Sequence, residues 1–185
     1  MIYRFNGKTP KINESAFIAT GATIVGDVEI ADDASIWFGS VLRGDVNFIR
    51  IGARTNIQDQ TIIHVSSEGL PTIIAEEVTV GHRVTLHACS VERGCLIGMG
   101  AILMDGVRVG SESLIAAGTL VPPGTEIPPR SLVIGSPGRL KRQLTKDEIL
   151  DLDRSWRRYV ELKNVYLSGQ AALERGPSGT KPVND

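Results

Sequence analysis

Every sixth residue along most of this chain is aliphatic. The run opens at Ile18, Ile24, Ile30, Ile36 and Leu42, resumes after a three-residue shift at Ile51, Ile57 and Ile63, and restarts after a five-residue insertion at Ile74, Val80 and Leu86. One residue is then deleted, and the period continues from Val91 through Ile97, Leu103, Val109, Ile115, Val121 and Ile127 to Val133. Four places after most of these stands a small or β-branched residue, among them Ala22, Ala34, Thr55, Thr61, Cys95, Ala101 and Thr119. A helix would need a period near 3.6. A period of six with β-branched residues and frequent glycine predicts short strands with turns between them.

Beyond Val133 the pattern stops. The stretch GSPG, Gly135 to Gly138, predicts a turn, and Thr145 with Glu148 spells a capping box for a helix reaching about Leu167. Ile149, Leu152, Trp156, Tyr159 and Val160 share one face of that helix, with Asp151, Asp153, Arg154 and Arg158 around the rest. At ~1.5 Å per residue it is about 35 Å long. A hexad pattern of this kind resembles the left-handed parallel β-helix, in which three hexads make one triangular coil; that resemblance implies just over six coils, a prism roughly 30 Å tall at a strand spacing of ~4.8 Å. The helix is therefore expected to lie along one side of the stack. The organisation read from the sequence is a repeat domain over residues 1–138, a helix within 139–168, and a tail over 169–185 whose Gly, Ser, Pro and charge predict mobility.

Composition narrows the function classes. A chain of 185 residues is one domain by length, and no stretch of eighteen apolar residues predicts a membrane span. A formal net charge of -1 argues against nucleic-acid binding, which needs clustered Lys and Arg. Two cysteines and no signal-peptide pattern are expected of a soluble protein of the reducing cytoplasm. Cys89 and Cys95 lack the close pairing of a zinc ribbon and read as small apolar fillers.

The three histidines all fall between positions 64 and 87. Hexads beginning at Ile63, Ile74, Val80 and Leu86 occupy successive faces A, B, C and again A. His64 and His87 each stand second in a face A hexad, one coil apart, so they stack and point the same way out of the prism. Arg43 stands second in the next hexad down and extends the column. Gln58 and His82 belong to successive coils of face C, with Asp59 directly below His82. Two stacked imidazoles make half a metal site. A zinc ion on three histidines needs another nitrogen, and His82 lies on a different face of the same chain. A heterologous contact closing into a threefold ring, face A of one copy on face C of the next, brings His82 of the neighbour to His64 and His87. Asp59 then approaches Arg43 across the boundary as an ion pair.

With the motifs LRGDVN, NIQDQTIIH and VGHRVTLHAC in order, followed by the hexad prism and the C-terminal helix, the chain resembles the gamma-class carbonic anhydrases over roughly Met1 to Leu167. The resemblance implies a single-stranded left-handed parallel β-helix with a C-terminal helix and a homotrimer with metal sites shared between subunits. It further implies reversible hydration of carbon dioxide to bicarbonate by metal-bound hydroxide. By analogy His64, His82 and His87 bind zinc, with iron(II) or cobalt(II) as alternatives. Gln58 and Asn56 orient the bound water, Arg43, Asp45 and Asp59 hold the subunit boundary, and Tyr159 is a candidate for the pocket wall. Val46 and Ser67 stand where the archaeal branch has acidic residues, and Glu68 is the adjacent carboxylate that remains for proton transfer. Two other classes stay open: a hexapeptide-repeat acyltransferase or acyl-CoA thioesterase, because VIGSPGRL resembles the end of those prisms too, and a non-catalytic protein whose metal staples a trimer.

Overall fold

The computed structural model describes residues 1–67 and 69–169. The expected mobile tail from residue 170 onward, and Glu68, lie outside the described residues. The repeat folds into a parallel β-helix whose strands stack in register, for example Leu42 on Ile63 on Leu86 on Leu103 along face A and Ile36 on Ile57 on Val80 on Ile97 along face C. Strands Thr23–Ile30 and Val41–Ile51 bend round the corner between faces A and B, which joins those faces into one sheet. Face C is a separate sheet.

The hexad explains the core. Apart from Ile18 at the open end, each periodic aliphatic from Ile24 to Val133 is buried, and so are Ala22, Ala34, Thr55, Thr61, Cys95, Ala101 and Thr119 four places on. Burial pushes the thiols of Cys89 and Cys95 up to about 12, which leaves them inert as fillers. Ile12, six residues before Ile18, also packs against the core, so the repeat begins one hexad earlier than its strongest stretch. Close stacking at the corners requires glycine. A Cβ on Gly98 would lie 2.5 Å from the backbone nitrogen of Ala117 in the next coil.

The last coil departs from the predicted order. After Ser131–Gly135 and a turn at Ser136–Pro137, residues Gly138–Gln143 form an antiparallel strand on face C before the helix begins. The helix spans Lys146–Leu167 and opens with the expected capping box of Thr145 and Glu148. It lies over face C and buries Leu152 and Trp156, while Tyr159 and Tyr166 pack on Phe17 and Trp37. Lys163, buried on the same face, is anchored by Asp33 at 2.8 Å. The chain's own helix thus lies along the prism on face C. What remains open is the edge where C turns into A. No helix among the described residues is long and apolar enough to cross a membrane.

Candidate metal centre

Three interruptions of the hexad period, at residues 44–48, 65–70 and 87–90, all fall at the corner between faces A and B, beside the histidine column. The first turns Asp45 back onto the column; the second is closed by a backbone bond from Ser66 to the Leu70 carbonyl at 3.0 Å. The third uses Ala88 at a φ of 48° to round the corner in fewer residues. The column itself is as the register predicts. His64 pairs with His87, and their rings stand 5.1 Å apart.

Each histidine is held by one aspartate. Asp45 Oδ1 lies 3.0 Å from His64 Nε2, Asp105 Oδ1 lies 2.6 Å from His87 Nδ1, and Asp59 Oδ2 lies 2.7 Å from His82 Nδ1. A carboxylate accepts and cannot donate, so these three ring nitrogens carry the N–H, and in the neutral imidazoles the opposite nitrogens carry lone pairs. His64 Nδ1 and His87 Nε2 then face each other at 3.1 Å, lone pair to lone pair. Between neutral rings such a contact is repulsive, and a proton or a metal ion between the two nitrogens relieves it. Two ligands of a tetrahedral centre with bonds of ~2.0 Å sit about 3.3 Å apart, so the pair fits one metal ion. His82 Nε2 is left with an outward lone pair at the exposed edge between C and A.

Arg43 closes on Asp45 within the chain. Burial raises the Asp45 carboxyl, but the His64 hydrogen bond and the Arg43 guanidinium outweigh it and hold it below the usual carboxylate range. Both partners of the expected Arg43–Asp59 ion pair are therefore already engaged inside one chain, Arg43 with Asp45 and Asp59 with His82.

Asn56 and Gln58 are buried beneath the helix near the His82 edge. Asn56 Nδ2 donates to Thr79 Oγ1 at 3.1 Å, and Gln58 Nε2 donates to Asn56 Oδ1 at 3.0 Å. Tyr159 stands edge-on to Trp37 with centroids 5.5 Å apart. Burial and the charge of Asp59 raise its phenol above the ordinary value. Val46 and Ser67 are exposed. One chain thus carries two separate side-chain clusters. Arg43, Asp45, His64, His87 and Asp105 belong to the A column, and Asn56, Gln58, Asp59, His82 and Tyr159 to the C edge. Among the described residues no group of three His, Cys, Asp or Glu side chains converges to hold a metal. Sequence reasoning missed Asp105 and Thr79; Thr79 stands in register with Asn56 one coil above, whereas Asp105 lies one place beyond the residue that registers with His87, so no register signal points to it.

The fold and these pairs define a hexapeptide-repeat β-helix protein with carboxylate-held histidines at its surface. No protein-family model matches the chain. A carbonic anhydrase of Geobacillus kaustophilus is 50% identical over 166 residues, covering 90% of this chain and 91% of that protein. Gamma carbonic anhydrase 2, mitochondrial, of Arabidopsis thaliana is 43% identical over 166 residues and 87% of this chain, which spans 60% of that protein's length. Among solved structures, a hexapeptide transferase family protein from Anaplasma phagocytophilum superposes with a TM-score of 0.87 at 40% identity, over 90% of this chain and 98% of that one. The chain belongs to the gamma carbonic anhydrase family.

Proposed function

We propose that this protein is a metal-dependent carbonic anhydrase that hydrates carbon dioxide reversibly to bicarbonate, at sites shared between the copies of a homotrimer. The observation that carries this reading is the facing pair His64 Nδ1 and His87 Nε2, 3.1 Å apart, with a carboxylate on the other nitrogen of each ring. His64 Nδ1 and His87 Nε2 of one copy, with His82 Nε2 of the next, would hold zinc, iron(II) or cobalt(II). The ion supplies the Lewis acidity that ionises water near neutral pH.

The chain's own residues do the rest. Asn56, fixed by its own bond to Thr79, accepts from the Gln58 amide and so holds its donor end, which leaves the Gln58 carbonyl oxygen as an acceptor for a hydroxyl at the site. That hydrogen bond aims the oxygen lone pair at the carbon. Tyr159 and Trp37 wall the C edge and keep it apolar enough for carbon dioxide. The exposed apolar residues Tyr3, Ile62, Ile102 and Met104 share face A with His64 and His87, a surface suited to burial against another copy. With Val46 and Ser67 offering no carboxylate, Glu68, adjacent in sequence, and external buffer are left to take the proton.

The test is stopped-flow carbon dioxide hydration on protein loaded with zinc or, without oxygen, with iron(II) or cobalt(II). We expect kcat/KM to rise with pH through a group near ~7, and added imidazole to raise kcat. Hydration no faster than with free zinc ion would reject the anhydrase reading and direct attention to acyl-CoA thioesters.

A further inference from the structure

We propose that Asp105 is a positioning residue of the metal centre, fixing which nitrogen of His87 faces the metal. It comes from the coil above His87, third in the hexad opened by Leu103, where the chain leaves face A. Its backbone is clamped on both sides by bonds between coils. Gly106 donates to the Ala88 carbonyl at 2.8 Å, and the Asp105 carbonyl accepts from Gly124 at 2.8 Å. The carboxylate is consequently delivered to His87 from a rigid corner. Its Oδ1 stands 2.6 Å from Nδ1, the shortest of the three aspartate–histidine contacts.

The consequence is one of proton placement. An imidazole carries its single proton on either nitrogen, and a hydrogen bond decides which. Asp105 holds the proton on Nδ1. Were it on Nε2, an N–H would point at His64 Nδ1 across the 3.1 Å gap, and the two rings would hydrogen-bond to each other instead of offering two lone pairs to a metal. Asp45 does the corresponding service for His64 through Nε2, so the stacked rings use unlike nitrogens, Nδ1 below and Nε2 above.

This inference rests on the metal-centre reading above, and its test separates the two. Long-range nitrogen–proton NMR on metal-free protein at alkaline pH reads the tautomer of His87 directly. We expect the proton on Nδ1 in the natural chain and a population with the proton on Nε2 in Asp105→Asn, whose amide can donate to Nδ1. Competition titrations with cobalt(II) should show affinity lowered by about tenfold to a hundredfold in the same variant, at unchanged subunit assembly and thermal midpoint. A His87 proton on Nε2 in the natural chain would overturn the proposal without any variant having to fold. So would an Asp105→Asn protein with the natural tautomer and affinity while His87→Ala abolishes binding. If the natural chain binds no metal, the anhydrase reading falls, and the tautomer measurement still decides the role of Asp105.

Discussion

A side-chain amide can accept or donate, and the neighbours of Gln58 determine which end it shows. Asn56 bridges Gln58 to Thr79, and all three are buried. Replacing Asn56 by Ala leaves the Gln58 amide and the Thr79 hydroxyl without that partner, a cost of ~1–3 kcal/mol for a buried unpaired polar group. Asn56→Ala should therefore lower the urea midpoint, and it should also lower kcat/KM, because Gln58 is then free to turn its donor outward. An unchanged midpoint would show that the chain of amides is slack. The histidine column was legible from the sequence because register follows from the hexad count alone. Asp105 was not legible. It is third in its hexad, a corner place from which exit direction depends on backbone dihedrals rather than on period. Asp45 sits within the first interruption of the repeat, where period gives no direction at all.

The C-terminal helix shows both what pattern reveals and what it hides. Its start was legible because the capping box is a local device, and Glu148 now has a measurable consequence. Arg142, and then the backbone of Thr145, bring its carboxyl down from an ordinary 4.5 to about 2. A folded-state value below the unfolded one contributes stability that is present above pH 4.5 and is lost as pH falls toward 2. Glu148→Gln should flatten that acid limb, and thermal melts between pH 5 and 2 will register it. The strand Gly138–Gln143 was not legible: its sequence GRLKRQ lacks alternation, and backbone bonding to Ser131–Gly135 makes it a strand. Lys163 would be read as solvated by its type, yet it is buried because Asp33 reaches it at 2.8 Å. Asp33→Ala leaves that ammonium without its counter-charge, with only the Asn164 amide oxygen at 2.8 Å, and should cost more than Lys163→Met, which removes the charge. Asp33 is half exposed, so the loss should fall below the ~3–5 kcal/mol of a fully buried pair. Equal denaturation midpoints for the two variants would refute this.

At the scale of the whole molecule, the proposed ligands lie divided between column and edge, and assembly is the step that would unite them. Stacking order follows from one chain's repeat, whereas the angle between two prisms depends on surfaces that no period encodes. The expected particle is a trimer of a 19.9 kDa chain with one metal per chain. Mixing variants tests the division of ligands. His64→Ala retains a competent edge and His82→Ala a competent column, and each trimer alone has no complete site. In randomly mixed trimers at equal ratio a boundary is complete when a His82→Ala column meets a His64→Ala edge, which happens at about a quarter of boundaries in a heterologous ring. Metal binding and hydration should both return to about a quarter of the natural level after unfolding and refolding the two together. Were all three ligands drawn from one chain, no mixture could restore a site. Verified mixed trimers without recovery would therefore reject the shared centre, whereas recovery well above a quarter would mean that subunits pair by preference and not at random.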